Sequence, residues 1–110
     1  MQKLVNYHSN LTHGTVFRFP GSYPHEKYVD LILVEFPDSD RKFGLVVSTG
    51  HKAGLILIKL PKEAESNNFA GIDRQWVIDN WNKWIYETCN VDDVYVIQNY
   101  PIPAIDYSKP

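Results

Sequence analysis

Apolar and β-branched residues fall into short blocks divided by glycine, proline and polar clusters, a pattern of strands joined by turns. Residues 15–19, Thr-Val-Phe-Arg-Phe, lie between Gly14 and Pro20-Gly21 and read as a first strand. The polar turn of residues 21–27 leads into residues 28–36, a second strand apolar enough to be well buried. After the connection at 37–42, residues 43–48 return to strand-forming types. A loop at 49–54 joins them to residues 55–60, whose apolar run before Pro61 predicts a fourth strand at the centre of the sheet. Residues 62–70 form a polar connection with Ser66-Asn67-Asn68 at its tip. A short fifth strand is predicted over 94–97, ended by Asn99 and the prolines at 101 and 103.

The period changes once. Asp73 can accept backbone N–H groups of a first helical turn, and Ile72 before it can pack on Val77, so a helix should begin at Arg74. Val77, Trp81, Trp84 and Ile85 keep the three-to-four spacing of one apolar face, while Asp79, Asn82 and Lys83 face water. Roughly three turns ending near Tyr86 are implied. Trp76 points away from Trp81, either to pack at the sheet edge or to stand exposed as an anchor for a partner. The predicted fold is α+β: a curved, mainly antiparallel sheet of about five strands with one helix packed on one face. A partly closed small barrel is the alternative. No repeat or long linker divides the chain, so one domain over residues 1–110 is expected, with a frayed tail at 106–110.

Composition narrows the class. At 110 residues, 44% hydrophobic, 14% aromatic and 22% charged, the chain resembles an ordinary globular protein able to bury a core. Cys89 is the sole cysteine, which excludes an intrachain disulfide and fits a reducing cytoplasm. Residues 1–8 do not read as a secretory signal, and no apolar run approaches the roughly 20 residues of a membrane helix. The net charge of −2 conceals an asymmetry. Up to Leu60 the chain carries seven Lys/Arg against five Asp/Glu, and beyond it four against eight. Neither part has the dense basic stripe of a dedicated nucleic-acid binder, so a basic protein partner is the better expectation.

Candidate chemistry is sparse. His8, His13, His25 and His51 show no metal-ligand spacing, and neither a metal nor a cofactor is expected. Cys89 reads as a small packed residue. The loop Ser48-Thr49-Gly50-His51-Lys52-Ala53-Gly54 is the most enzyme-like segment. His51 can transfer a proton and Lys52 can stabilise charge on phosphate, as in a ribonuclease, but a second acid or base must come from another histidine. A nucleic-acid-binding sheet with Tyr95, Phe17 and Phe19 as stacking platforms is a third reading. For a protein partner the candidate contacts are Asp38 and Asp40 in one connection, Asp92 and Asp93 in another, and Trp76. Residues 99–103, Asn-Tyr-Pro-Ile-Pro, form either an interaction strip or a strap over the core.

Three stretches carry a resemblance: residues 13–20 (His-Gly-Thr-Val-Phe-Arg-Phe-Pro), residues 43–61 from Phe43-Gly44-Leu45 to Lys59-Leu60-Pro61, and residues 71–84 from Gly71-Ile72-Asp73 to Trp84. In them the chain resembles bacterial immunity proteins of polymorphic toxin systems, family forty-five among them. The resemblance implies a compact α+β inhibitor that binds and neutralises a cognate toxin, a nuclease among the candidates, with no catalytic residue of its own.

Overall fold

A computed structural model describes residues 1–21, 27–101, 104 and 106–108. His25, Ile102 and Pro103, which the sequence reading singled out, lie outside the described residues, as do residues 109 and 110 of the expected tail. Six strands form one open antiparallel sheet: β1 (Gln2–Lys3), β2 (Val16–Pro20), β3 (Tyr28–Glu35), β4 (Phe43–Val47), β5 (Ile56–Lys59) and β6 (Tyr95–Ile97). Their order is β1-β6-β2-β3-β4-β5. The five predicted strands are all present, with ends shifted by one residue at most. The sixth, β1, is too short to leave a periodic signal and is defined by its pairing of Gln2 with Val96 and Lys3 with Tyr95.

β5 stands at an edge of the sheet rather than at its centre. Its apolar run implied burial on both sides, yet Leu55, Ile56 and Leu57 are 59%, 51% and 42% exposed. Strand order is set by pairing between distant segments, which local composition does not encode. β6 returns from the far end of the chain and inserts between β1 and β2, leaving β5 paired with β4 alone.

One face of the sheet carries the core. Phe17, Phe19, Leu31, Leu33, Phe43, Leu45 and Val96 alternate onto it in register, Phe17 opposite both Leu31 and Val96, and Leu33 opposite Leu45. All seven are buried. The helix α1 (Arg74–Asn80) covers this face. Asp73 caps it, its Oδ2 accepting the Trp76 N–H at 3.3 Å, and Ile72 and Val77 are fully buried, as the capping pattern predicted. Arg74 ties the helix start to the segment after β1 by donating to the carbonyl oxygens of Leu4 and Val5.

The second half of the predicted helix has a wider pitch. Trp81–Ile85 is a π-helical segment, closed by the Tyr86 N–H donating to the Trp81 carbonyl five residues back. Trp81 drops fully into the core, with ring centroids 6.0 Å from Phe17 and 5.3 Å from Phe19. Trp84 instead meets Trp76 at 5.9 Å, both half-buried at the core margin. The two tryptophans therefore do not share one stripe, as a straight α-helix would have required. No helix among the described residues is long and apolar enough to cross a membrane.

Candidate functional site

The face turned away from α1 carries the candidate side chains. Cross-strand register aligns Lys3, Tyr95, Arg18 and Asp30 in one row across β1, β6, β2 and β3. Arg18 Nε and Nη2 donate to Asp30 Oδ1 and Oδ2 at 2.7 and 2.8 Å, a bidentate pair. Asp30 is 1% exposed and Arg18 34%. The hydrogen bond to Asp30 raises the guanidinium pKa further and keeps Arg18 charged. Tyr100 donates its hydroxyl to Asp30 Oδ2 at 2.8 Å and lies 2.6 Å from Ser48 Oγ. The chain beyond β6 is thus fastened across the open face, so Tyr100 acts as a strap. Burial pushes the Tyr100 phenol above its ordinary pKa, and the bond to Asp30 adds to the rise while that to Ser48 opposes it.

Beside this row Met1, Arg18, Pro20, Tyr28, Asp93 and Tyr95 line an open groove of about 560 Å³. Tyr28 and Tyr95 present 51% and 36% of their surface. Asp93 closes the 3₁₀ turn Val91–Asp93, which Asn90 caps by accepting the Asp92 N–H at 2.9 Å. Asp92 and Asp93 are both exposed, and of the two Asp93 lines the groove. Asp38 and Asp40 are exposed too, but in the β3–β4 connection. They lie past Glu35, which is five residues or about 17 Å along β3 from the Asp30 row. The two acidic pairs do not form one patch. Trp76 offers only the part of its ring that Trp84 leaves open.

The enzyme-like constellation is not assembled by the described histidines. His51 and Lys52 are exposed in the β4–β5 connection, which lies by the Asp30 row because the Ser48 N–H donates to the Asp30 carbonyl and Thr49 Oγ1 accepts the Asp30 N–H. His13 sits at the other end of β3, its Nδ1 accepting the Glu35 N–H at 3.0 Å. His8 belongs to the segment after β1, the opposite edge strand. The stacking platform is overturned as well: Phe17 and Phe19 are fully buried on the helix face, and Tyr95 points from the opposite one. Cys89 is 6% exposed and donates to the Asn90 carbonyl at 3.3 Å. Burial pushes its thiol pKa up and the Asp93 charge adds to the rise, the setting of a packed residue and not of a nucleophile. Among the described residues, no three of His, Cys, Asp and Glu gather as metal ligands do.

Sequence reasoning missed Arg18, Asp30 and Tyr28, and named Tyr100 only as part of the segment 99–103, a strip or a strap. A signal existed for the first two, since each is a charged residue inside an otherwise apolar predicted strand. What it lacked was the register that sets them opposite each other.

Exposed tyrosines around a fixed guanidinium are the side chains that protein–protein interfaces favour, so fold and groove together describe a small binding scaffold. The family described as Immunity protein 45 matches residues 4–96, from just after β1 into β6. The chain belongs to this family and is an immunity protein. No curated protein and no solved structure matches it.

Proposed function

We propose that this immunity protein acts in the cytoplasm of the producing bacterium, where it binds the cognate toxin domain of a polymorphic toxin system and neutralises it by steric occlusion with charge complementarity. The groove of Arg18, Tyr28, Tyr95 and Asp93 carries this reading. Tyrosine and arginine supply large contact area, and Arg18 is already held by Asp30, so little of its conformational freedom remains to be lost on binding. Asp93 at the groove, with exposed Asp92 next to it in the chain, suits a basic toxin surface, which a domain that grips nucleic acid would present. The proposed toxin is therefore a nuclease. Trp76, Asp38 and Asp40 stand apart from the groove, and their part in binding requires a toxin that also reaches those positions.

The test is co-expression with the product of the neighbouring gene. That product should kill cells lacking this protein, and should co-purify with it from cells that survive. The double reversal Asp92→Lys with Asp93→Lys should weaken the complex at least about tenfold at low salt. A neighbouring product that neither binds this protein nor is restrained by it would overturn the proposal.

A further inference from the structure

The unpaired edge at β5 differs in chemistry from the rest of the molecule. Residues 41–62 hold Arg41, Lys42, Lys52, Lys59 and Lys62 and no carboxylate, so all 13 Asp and Glu lie outside this hairpin. None of the five cations makes an ion pair among the described residues. Three consecutive exposed side chains, Leu55, Ile56 and Leu57, line the same edge. An apolar edge strand is a template for further pairing, and proteins usually blunt it. Blunting is present at one end only. The Leu60 N–H donates inward to the Phe43 carbonyl, while the Lys59 carbonyl turns outward and is capped by Arg41 Nη1 at 3.2 Å.

At the uncapped end the register slips between Leu45 and Val46, so Leu57 falls in the bulge between Ile58, opposite Leu45, and Ile56, opposite Val46. Leu57 there borders a pocket of about 100 Å³ walled by Val29, Leu31, Val47 and Tyr86, with Lys52 at its rim. That volume accommodates about one branched aliphatic side chain.

We propose that the β5 edge is a docking site for an extended segment of the toxin, which pairs with β5, seats one aliphatic residue in the pocket and sets a carboxylate against Lys52. Charge selects this occupant. A second copy paired antiparallel through β5 would bring a second Lys52 and Lys59 to the same short edge, whereas an acidic-flanked strand is attracted. The pocket opens on the helix face, among Val29, Leu31 and Val47, and the Arg18 groove on the opposite face at the same end of the sheet, so a toxin that engages both reaches around the sheet.

This inference rests on the immunity reading for the identity of the partner, and the experiment separates the two. Backbone amide exchange is followed in the free protein and in its complex with the toxin domain encoded beside it. Affinities are measured for Leu57→Glu, Lys52→Glu and, as the substitution gentlest on the fold, Leu55→Asp, each checked for native circular dichroism. The expected result is slowed exchange over residues 56–59 in the complex and at least about tenfold weaker binding by Leu57→Glu and Lys52→Glu. A complex of unchanged affinity in all three variants, with β5 amides exchanging as in the free protein, overturns the β5 site and leaves the immunity reading standing. Absence of any complex overturns both. Self-association abolished by Leu57→Glu, or binding to phosphatidylglycerol vesicles in place of toxin, would assign the edge to another occupant and overturn the proposal.

Discussion

Arg18 and Asp30 are unequal partners, because one can reach water and the other cannot. Asp30 is 1% exposed, so Arg18→Ala leaves a buried carboxylate with the Tyr100 hydroxyl as its remaining side-chain donor. Asp30→Ala leaves a guanidinium that can turn toward solvent. Urea unfolding should therefore show a loss of about 3 kcal/mol for Arg18→Ala and a clearly smaller loss, about 1–2 kcal/mol, for Asp30→Ala. Equal losses would mean that the pair is not desolvated as described. Two groups fix the alkaline behaviour. The folded-state pKa values of Cys89 and Tyr100 are both raised, chiefly by burial. Each therefore contributes stability that is complete below its unfolded pKa, about 8.5 for a thiol and about 10 for a phenol, and is lost as pH rises through the raised folded value. The urea midpoint should fall above about pH 8.5, and fall less steeply in Cys89→Ala and Tyr100→Phe.

Among the elements, α1 begins where a local signal placed it, because a cap is a contact between residues three apart. Asp73→Ala should cost about 1 kcal/mol of stability. β4 depends on a longer-range contact. The Phe36 ring and the Ile58 carbonyl oxygen close over Gly44, and a Cβ there would come within 2.8 Å of each. Thermal melting should show Gly44→Ala to be more destabilising than Asp73→Ala, since backbone must shift to admit the methyl group. The π segment had no such local signature. Its wider turn sets Trp84 against Trp76 while Trp81 fills the space over Phe17 and Phe19, an outcome of packing that residue spacing alone does not contain.

For the whole molecule, charge is divided by position more than by amount. Asp93 lines the groove with exposed Asp92 next to it in the chain, Asp38 and Asp40 mark the far end of β3, and the β4–β5 hairpin is cationic. A toxin seated at the groove should thus respond to Asp92→Lys with Asp93→Lys through a slower association rate and a weaker salt dependence. Asp38→Lys with Asp40→Lys should change both much less. Stopped-flow association at two ionic strengths distinguishes the pairs, and a larger effect at Asp38 and Asp40 would move the interface to that end.

The amino-acid sequence by itself determined the antiparallel α+β class, five of the strands and the start of the helix, because alternation, capping and turn chemistry act over a few residues, while membership of an immunity family rests on the similarity of long stretches to that family. The tertiary structure decided what depends on distant segments meeting. Insertion of β6 beside β2 made β5 an edge, cross-strand register made Arg18 and Asp30 a pair, and the return of Tyr100 across the open face completed their network. Those residues lie 12 and 70 positions apart, and only pairing of the strands brings them within bonding distance.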